Sequence, residues 1–236
     1  MYAQQPHSQK EQESRLRTVL EMTDPVTRER ELARFEPAVG ISLLTRVLTK
    51  EHRGQRRSRW LGIALVVTFL LMILALRLES GKFPSFPFYL FFFAFNNSKK
   101  KAWRQRLEQV ALFLPEWIKR ASRTDIGALL ELAPLVWEHE TLKMALRDRL
   151  AHLLPRTPTD ELALLSPLQR AGLSLITRRA IEESRLMSLY EPLAVAGLLA
   201  MGSLRDPGAR SAANSTLLQH SRGHVCAAAE EYLACL

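Results

Sequence analysis

The stretch PLAVAGLLAMGSLRDPGARSAANSTLLQHSRGHVCAAAEEYLACL, Pro192 to Leu236, reads as three short helices separated by two breaks. The first break is Asp206-Pro207-Gly208. An Asp side chain can accept the free N–H groups of the helix that follows, and Pro fits a first helical position, where its missing N–H costs little. The second break is Ser221-Arg222-Gly223. Ala227, Ala228 and Ala229 then offer a surface that neighbouring helices can approach closely. Working back toward the N-terminus, the same pattern recurs from about Trp103: short amphipathic segments broken at Thr124-Asp125, at Pro155-Arg156-Thr157-Pro158 and at Ser166-Pro167. Leu, Ala, Arg and Glu dominate and β-branched runs are few, so the expected fold class is all-α.

Short helices with tight turns suggest an array, and the chain shows self-similarity. LKMALRDRLAHL (Leu142–Leu153) superposes on VCAAAEEYLACL (Val225–Leu236), with apolar or small residues at matching places and a charged pair in the middle. The offset between them is 83 residues, and two periods of about 41 suit a HEAT or armadillo spacing, although the copy expected near residue 184 is not visible in the letters. Here the segment Pro192–Leu218, followed by HVCAAAEEYLACL (His224–Leu236), resembles a HEAT-repeat unit: Leu204, Asp206 and Pro207 match the family's inter-helix turn, and Ala227, Ala228, Ala229 and Leu233 match its packing positions. The resemblance implies an α-solenoid that presents an extended surface to a protein partner, and it transfers no active site. A generic helical bundle would use the same periodicity.

Two apolar segments lie upstream. WLGIALVVTFLLMILAL, Trp60 to Leu76, carries no charge and covers about 25 Å as a helix, close to the thickness of a bilayer core. FPSFPFYLFFFAF, Phe83 to Phe95, is as apolar but shorter, about 20 Å if helical. Arg53, Arg56, Arg57 and Arg59 precede the first segment, and Lys99, Lys100, Lys101, Arg104 and Arg106 follow the second. Basic clusters stay on the cytoplasmic side, so two crossings are expected in preference to one span with an interfacial aromatic segment. Neither segment holds the Asp, Glu, His or paired Lys that marks an ion pathway, which favours an anchor over a transporter.

The formal net charge of +9 is unevenly placed: residues 1–59 contribute +4, 60–98 +1, 99–125 +5 and 126–236 −1. Charge gathered around the apolar region is the membrane-flanking pattern, and no nucleic-acid partner is expected. Before that region, Leu16, Val19 and Leu20 form a narrow stripe. Asp24 and Pro25 then restart a helix expected over roughly Val26 to Glu51, with Leu32, Phe35, Val39, Leu43, Val47 and Leu48 on one face. That face must meet either the membrane surface or another helix of the chain.

Chemistry-bearing motifs are weak. Cys226 and Cys235 would stand about 13 Å apart on one helix, too far for a disulfide, and neither has a base beside it. His220-x3-His224-x-Cys226 has helical metal spacing but no acidic ligand near it. Glu138-His139-Glu140 is not a zinc pattern and reads as an inter-helix turn. Asn96 and Asn214 open glycosylation tripeptides that a cytoplasmic placement would leave inert. With no phosphate loop and no nucleophile motif, no catalytic, cofactor or metal residue is assigned, and neither enzyme activity nor a small-molecule substrate is expected.

The expected organisation is residues 1–58 as N-terminal amphipathic helices, 59–98 as a transmembrane hairpin and 99–236 as a HEAT-like α-helical domain. The chain is expected in the plasma (inner) membrane as an integral protein with both termini cytoplasmic, its partners the lipid bilayer and a protein. The expected function is a membrane-anchored helical-repeat scaffold. The alternative is an accessory subunit of a membrane transport or secretion complex.

Overall fold

A computed structural model describes residues 6–22, 24–32, 34–36, 39–54, 67–68, 101–219 and 223–236 of the chain. Among the described residues the regular elements are all helical, so the protein is all-α. In chain order they are α1 (Pro6–Glu21), α2 (Pro25–Leu32), α3 (39–54), α4 (101–111), α5 (Leu114–Arg120), α6 (Ile126–Val136), α7 (Glu140–Leu153), α8 (Thr159–Ala163), α9 (Pro167–Ser184), α10 (Glu191–Ser203), α11 (Arg210–Gln219) and α12 (Gly223–Ala234). The chain divides into two compact units, Met1–Thr45 with Val110–Leu236, and Arg46–Gln109.

The integral-membrane location is corrected by these helices. Among the described residues no helix is long and apolar enough to cross a membrane. A span needs about 20 consecutive apolar residues. The 18-residue α9 instead carries Arg170, Arg178, Arg179, Glu182 and Glu183, and α6 and α10 are apolar but only 11 and 13 residues long. The hairpin expected over Trp60–Leu76 and Phe83–Phe95 lies outside the described residues except for Val67 and Thr68.

In the larger unit the helices form two layers. In the first, α6 stacks on α9 and α9 on α11; in the second, α5 stacks on α7, α7 on α10 and α10 on α12. Crosswise contacts join α6 to α7, α9 to α10 and α11 to α12. The first-layer helices α6, α9 and α11 begin at Ile126, Pro167 and Arg210, 41 and 43 residues apart. The two segments of the 83-residue self-similarity are α7 and α12, which stand on either side of α10 in the second layer.

Local chemistry sets the helix ends. Ser166 and Gln169 form a capping box ahead of Pro167, each side chain bonding the other's backbone N–H at 3.3 and 2.9 Å. Ser122 and Asp125 close the same kind of box before α6. After α10 the chain makes a Schellman turn, in which Asp206 N–H donates to Met201 C=O and Arg205 N–H to Gly202 C=O, both at 3.0 Å. Tyr232 of α12 clamps this turn: its hydroxyl donates to Asp206 C=O at 2.7 Å and accepts from Ala209 N–H at 3.3 Å.

Arg205 occupies the turn's left-handed position, with φ of 50°. A residue with a Cβ is strained there by about 1 kcal/mol relative to Gly. Arg205→Gly is therefore expected to raise unfolding stability by about that amount, read as a higher urea midpoint with an unchanged slope; a lower midpoint would contradict the turn assignment.

Close approaches hold the layers together. Pro134 lies inside α6 and has no N–H, so the carbonyl of Leu130 lacks its usual donor four residues on. Gly172 of α9 sits against that carbonyl: a Cβ at position 172 would lie 2.3 Å from it. Between α9 and α10, a Cβ at Gly197 would lie 2.3 Å from the hydroxyl oxygen of Thr177. Thr177 is itself buried and satisfied by the Leu173 carbonyl at 2.8 Å. The core along these seams includes Leu129, Leu130, Leu146, Ile176, Leu193, Leu198 and Met201, all fully buried or within 1% of it.

The helix expected over Val26–Glu51 is interrupted, with α2 ending at Leu32 and Glu36 outside any helix. Pro37 disfavours a helical conformation at Glu36. Breaking the helix lets Phe35 meet Trp117 of α5 (ring centroids 6.4 Å) and puts Gly40 against the same indole, where a Cβ would lie 2.7 Å from the ring. Of the two surfaces open to the N-terminal apolar face, the structure places this part of it on another helix.

Candidate functional site

The second layer leaves one face open. α10 is flanked by α7 and α12 and backed by α9, so a single stripe reaches solvent: Pro192, Val195, Leu199 and Ser203. α7 is likewise flanked by α5 and α10 and backed by α6, and it exposes Thr141, Met144, Asp148 and His152. These spacings of three or four residues are those of one helix face. α12 adds Ala227, Glu230, Glu231 and Ala234. The apolar middle of this face is Met144 (41% exposed), Val195, Leu199 (38% exposed) and Ala227.

At one rim the α9–α10 connector presents Leu186 (83% exposed), Met187 and Leu189 (59% exposed). It is held in place rather than hanging free. Arg185 donates to Gln219 at 3.1 Å and to Ser215 at 2.8 Å, fastening the connector to α11. Tyr190, buried to 1%, pins its other end beneath Lys143 and Arg147, which lie 5.4 and 5.2 Å from the ring centroid.

A charged brace underlies this rim. Lys143 of α7 reaches Glu183 of α9 at 3.1 Å and Glu140 at 2.9 Å, and Trp137 Nε1 donates to the other Glu183 oxygen at 3.1 Å. Burial pushes the Lys143 ammonium down, but Glu140, Glu183 and the neighbouring Tyr190 outweigh burial and hold it above the ordinary lysine range. Burial pushes the Glu183 carboxyl up, and the bonds from Lys143 and Trp137 more than reverse this. Burial raises the Tyr190 hydroxyl, whose oxygen makes no hydrogen bond of regular geometry. A general acid or base works best with a pKa near the working pH. Here the cation and the anion are each driven further into their charged forms, and the cluster ties α7 to α9.

The motifs singled out in the sequence do not converge on this face. Glu138 and His139 lie in the α6–α7 turn, and Glu140 opens α7 and binds Lys143. His220 falls outside the described residues; His224 is exposed, and the half-buried Cys226 thiol contacts the Thr216 carbonyl at 3.9 Å. Among the described residues no group of three His, Cys, Asp or Glu side chains could hold a metal. Asn214 is exposed on α11, in the other layer. In the N-terminal helices a groove of about 250 Å³ is lined by Arg15, Arg34 and Phe35, but both arginines bind Glu31.

No family model, curated protein or solved structure matches the chain. A functional reading of this face therefore rests on its own geometry. The connector residues Leu186, Met187 and Leu189 escaped the sequence reading because the segment contains no Gly or Pro, the usual markers of a break. The available signal was an apolar run, LMSLY, directly before Glu191-Pro192, where Pro fits a helix start.

Proposed function

We propose that the protein is a helical-repeat docking module whose second-layer face, rimmed by the α9–α10 connector, binds a protein partner. The observation that carries this reading is a set of exposed apolar side chains, Met144, Val195 and Leu199 on α7 and α10 and Leu186 and Leu189 on the braced α9–α10 connector, uncovered among the described residues. Single exposed apolar side chains are ordinary, whereas a cluster on one face marks an interaction site. The HEAT-like reading is supported by the ladder of like on like, α6–α9–α11 and α7–α10–α12, with 41- and 43-residue spacing in the first layer. Repeat arrays of this kind present extended surfaces to their partners.

The test is in-cell photocrosslinking with benzoylphenylalanine placed at Leu189 or Leu199, and at Asn214 on the first layer as a control. A discrete adduct with another protein at the first two positions, lost from the Leu189 probe when Leu199→Asp is added, is the expected result. An equal pattern at Asn214, or no adduct at Leu189 and Leu199, would sink the proposal.

A further inference from the structure

Where α5 ends at Arg120 and α7 at Leu153, the two packed helices gather arginines. Arg149 of α7 donates through Nε to the Ala121 carbonyl at 2.8 Å, and Arg123 donates through Nη1 to the Arg156 carbonyl at 3.2 Å. Two residues span at most about 7 Å, so Ala121 and Arg123 place both bonds at one corner, where the α5–α6 connector meets the end of α7. Arg120, Arg123 and Arg156 are exposed there, and Arg149 is half-buried. Each guanidinium bond goes to a neutral oxygen and leaves the charge in place. The corner's carboxylates are otherwise occupied: Asp125 accepts the Ser122 N–H at 2.7 Å and its hydroxyl at 2.9 Å, and Glu116, one turn before Arg120, is bound by Lys119 at 2.8 Å. Among the described residues Arg120, Arg123, Arg149 and Arg156 form no ion pair. Four arginines and Lys119 against Asp125 and Glu116 leave the corner at +3. The next charged residues after Arg156, Asp160 and Glu161, open α8, which packs on α10.

We infer that this corner receives an acidic segment of the protein partner, rich in Glu or Asp and continuous with the part that docks on the open face; the inference rests on the docking reading above. The exposed stripe of α7 leads from one to the other. Met144 lies in the apolar middle of the face and His152 at the helix end, about 12 Å further along. Asp148 between them is held by Arg147 at 2.6 Å. A partner lying along α7 therefore reaches the arginines without leaving the surface. Guanidinium groups pair with carboxylates through two parallel N–H bonds, and Arg123 uses one of its five donors on the Arg156 carbonyl. A short acidic segment fits better than a nucleic-acid backbone, because the chain turns acidic at Asp160 and gives a long polyanion no continuous basic track.

The test titrates the full chain against three labelled peptides of equal length, alternating Ser with Glu, with Gln or with Lys, and reads fluorescence anisotropy at low and moderate salt. The Glu peptide is expected to bind, to weaken as salt rises, and to lose about ten-fold or more in affinity with R120E/R156E and several-fold with Arg123→Gln, the circular dichroism of each variant being unchanged. R205E/R210E makes the same change of net charge at the α10–α11 connector and is expected to leave affinity within about two-fold. An equal loss in R205E/R210E, or equal binding of the Gln peptide, would overturn the inference. Tighter binding of a single-stranded oligonucleotide or of anionic lipid vesicles, abolished by R120E/R156E, would overturn it too by assigning the corner to phosphate. If the Glu peptide does not bind while the Leu199 crosslink persists, the acidic chemistry is wrong and the docking reading survives; if the crosslink is also absent, both fall. Peptide binding without the crosslink would sink the docking reading and, with it, the continuity of face and corner.

Discussion

Gly172→Val is expected to lower the stability of the array by about 3 kcal/mol or more, the largest effect of any substitution considered for this chain. A Cβ at position 172 would stand 2.3 Å from the carbonyl oxygen of Leu130 and 3.0 Å from its carbon. Those atoms are backbone, so no rotamer change relieves the overlap; α6 and α9 must separate, and Leu129, Leu130 and Ile176 lose close packing with them. Replacing Gly inside a helix gains up to about 1 kcal/mol of intrinsic propensity. That gain is smaller than the overlap penalty and does not change the sign. Urea unfolding followed by circular dichroism reads the result, and a loss below about 1 kcal/mol would show that the α6–α9 seam is looser than described.

The second large effect concerns Glu183. Its removal in Glu183→Ala leaves the Trp137 indole N–H without its acceptor and leaves Lys143, only 12% exposed, with Glu140 alone. Stranding a largely buried cation and donor costs about 2–3 kcal/mol. The pH dependence has a definite sign. Because the folded carboxyl is held below the ordinary glutamate value of about 4.3, its contribution is complete above that value and is lost as pH falls through the lower folded one. The difference between wild type and Glu183→Ala should therefore shrink on going from pH 7 to pH 3. A difference that stays constant would mean that the carboxylate charge contributes nothing.

The brace is assembled from residues that no local pattern marks. Lys143, Glu183 and Trp137 come from three different elements, and none sits within a recognisable pattern in the letters. Their side chains meet because α7 and α9 both pack on α6. The connector holding Leu186 and Leu189 joins two helices whose apolar periodicity runs almost unbroken from one into the other. No helix starts near residue 184; the second-layer helix α10 begins at Glu191, after an 18-residue α9 and a connector without Gly or Pro.

The sequence by itself determined the fold class and most helix ends. Capping boxes, Asp-Pro turns and proline positions act within one turn of the chain, so Ser166-Pro167, Thr124-Asp125 and Asp206-Pro207 could be read from neighbouring letters alone. It also contained an 83-residue echo between segments that fold as α7 and α12, both in the second layer. Only the tertiary structure decided which apolar stripes are covered and which remain open. A stripe such as Val195 and Leu199 looks the same in sequence as the buried stripe on the other side of α10, because periodicity reports that a face is apolar and not what packs against it. The close approach of Gly172 to Leu130, the approach of Gly40 to Trp117 and the Lys143–Glu183 brace each depend on residues more than 35 positions apart. Such contacts are selected by the packing of whole helices, and no local rule encodes them.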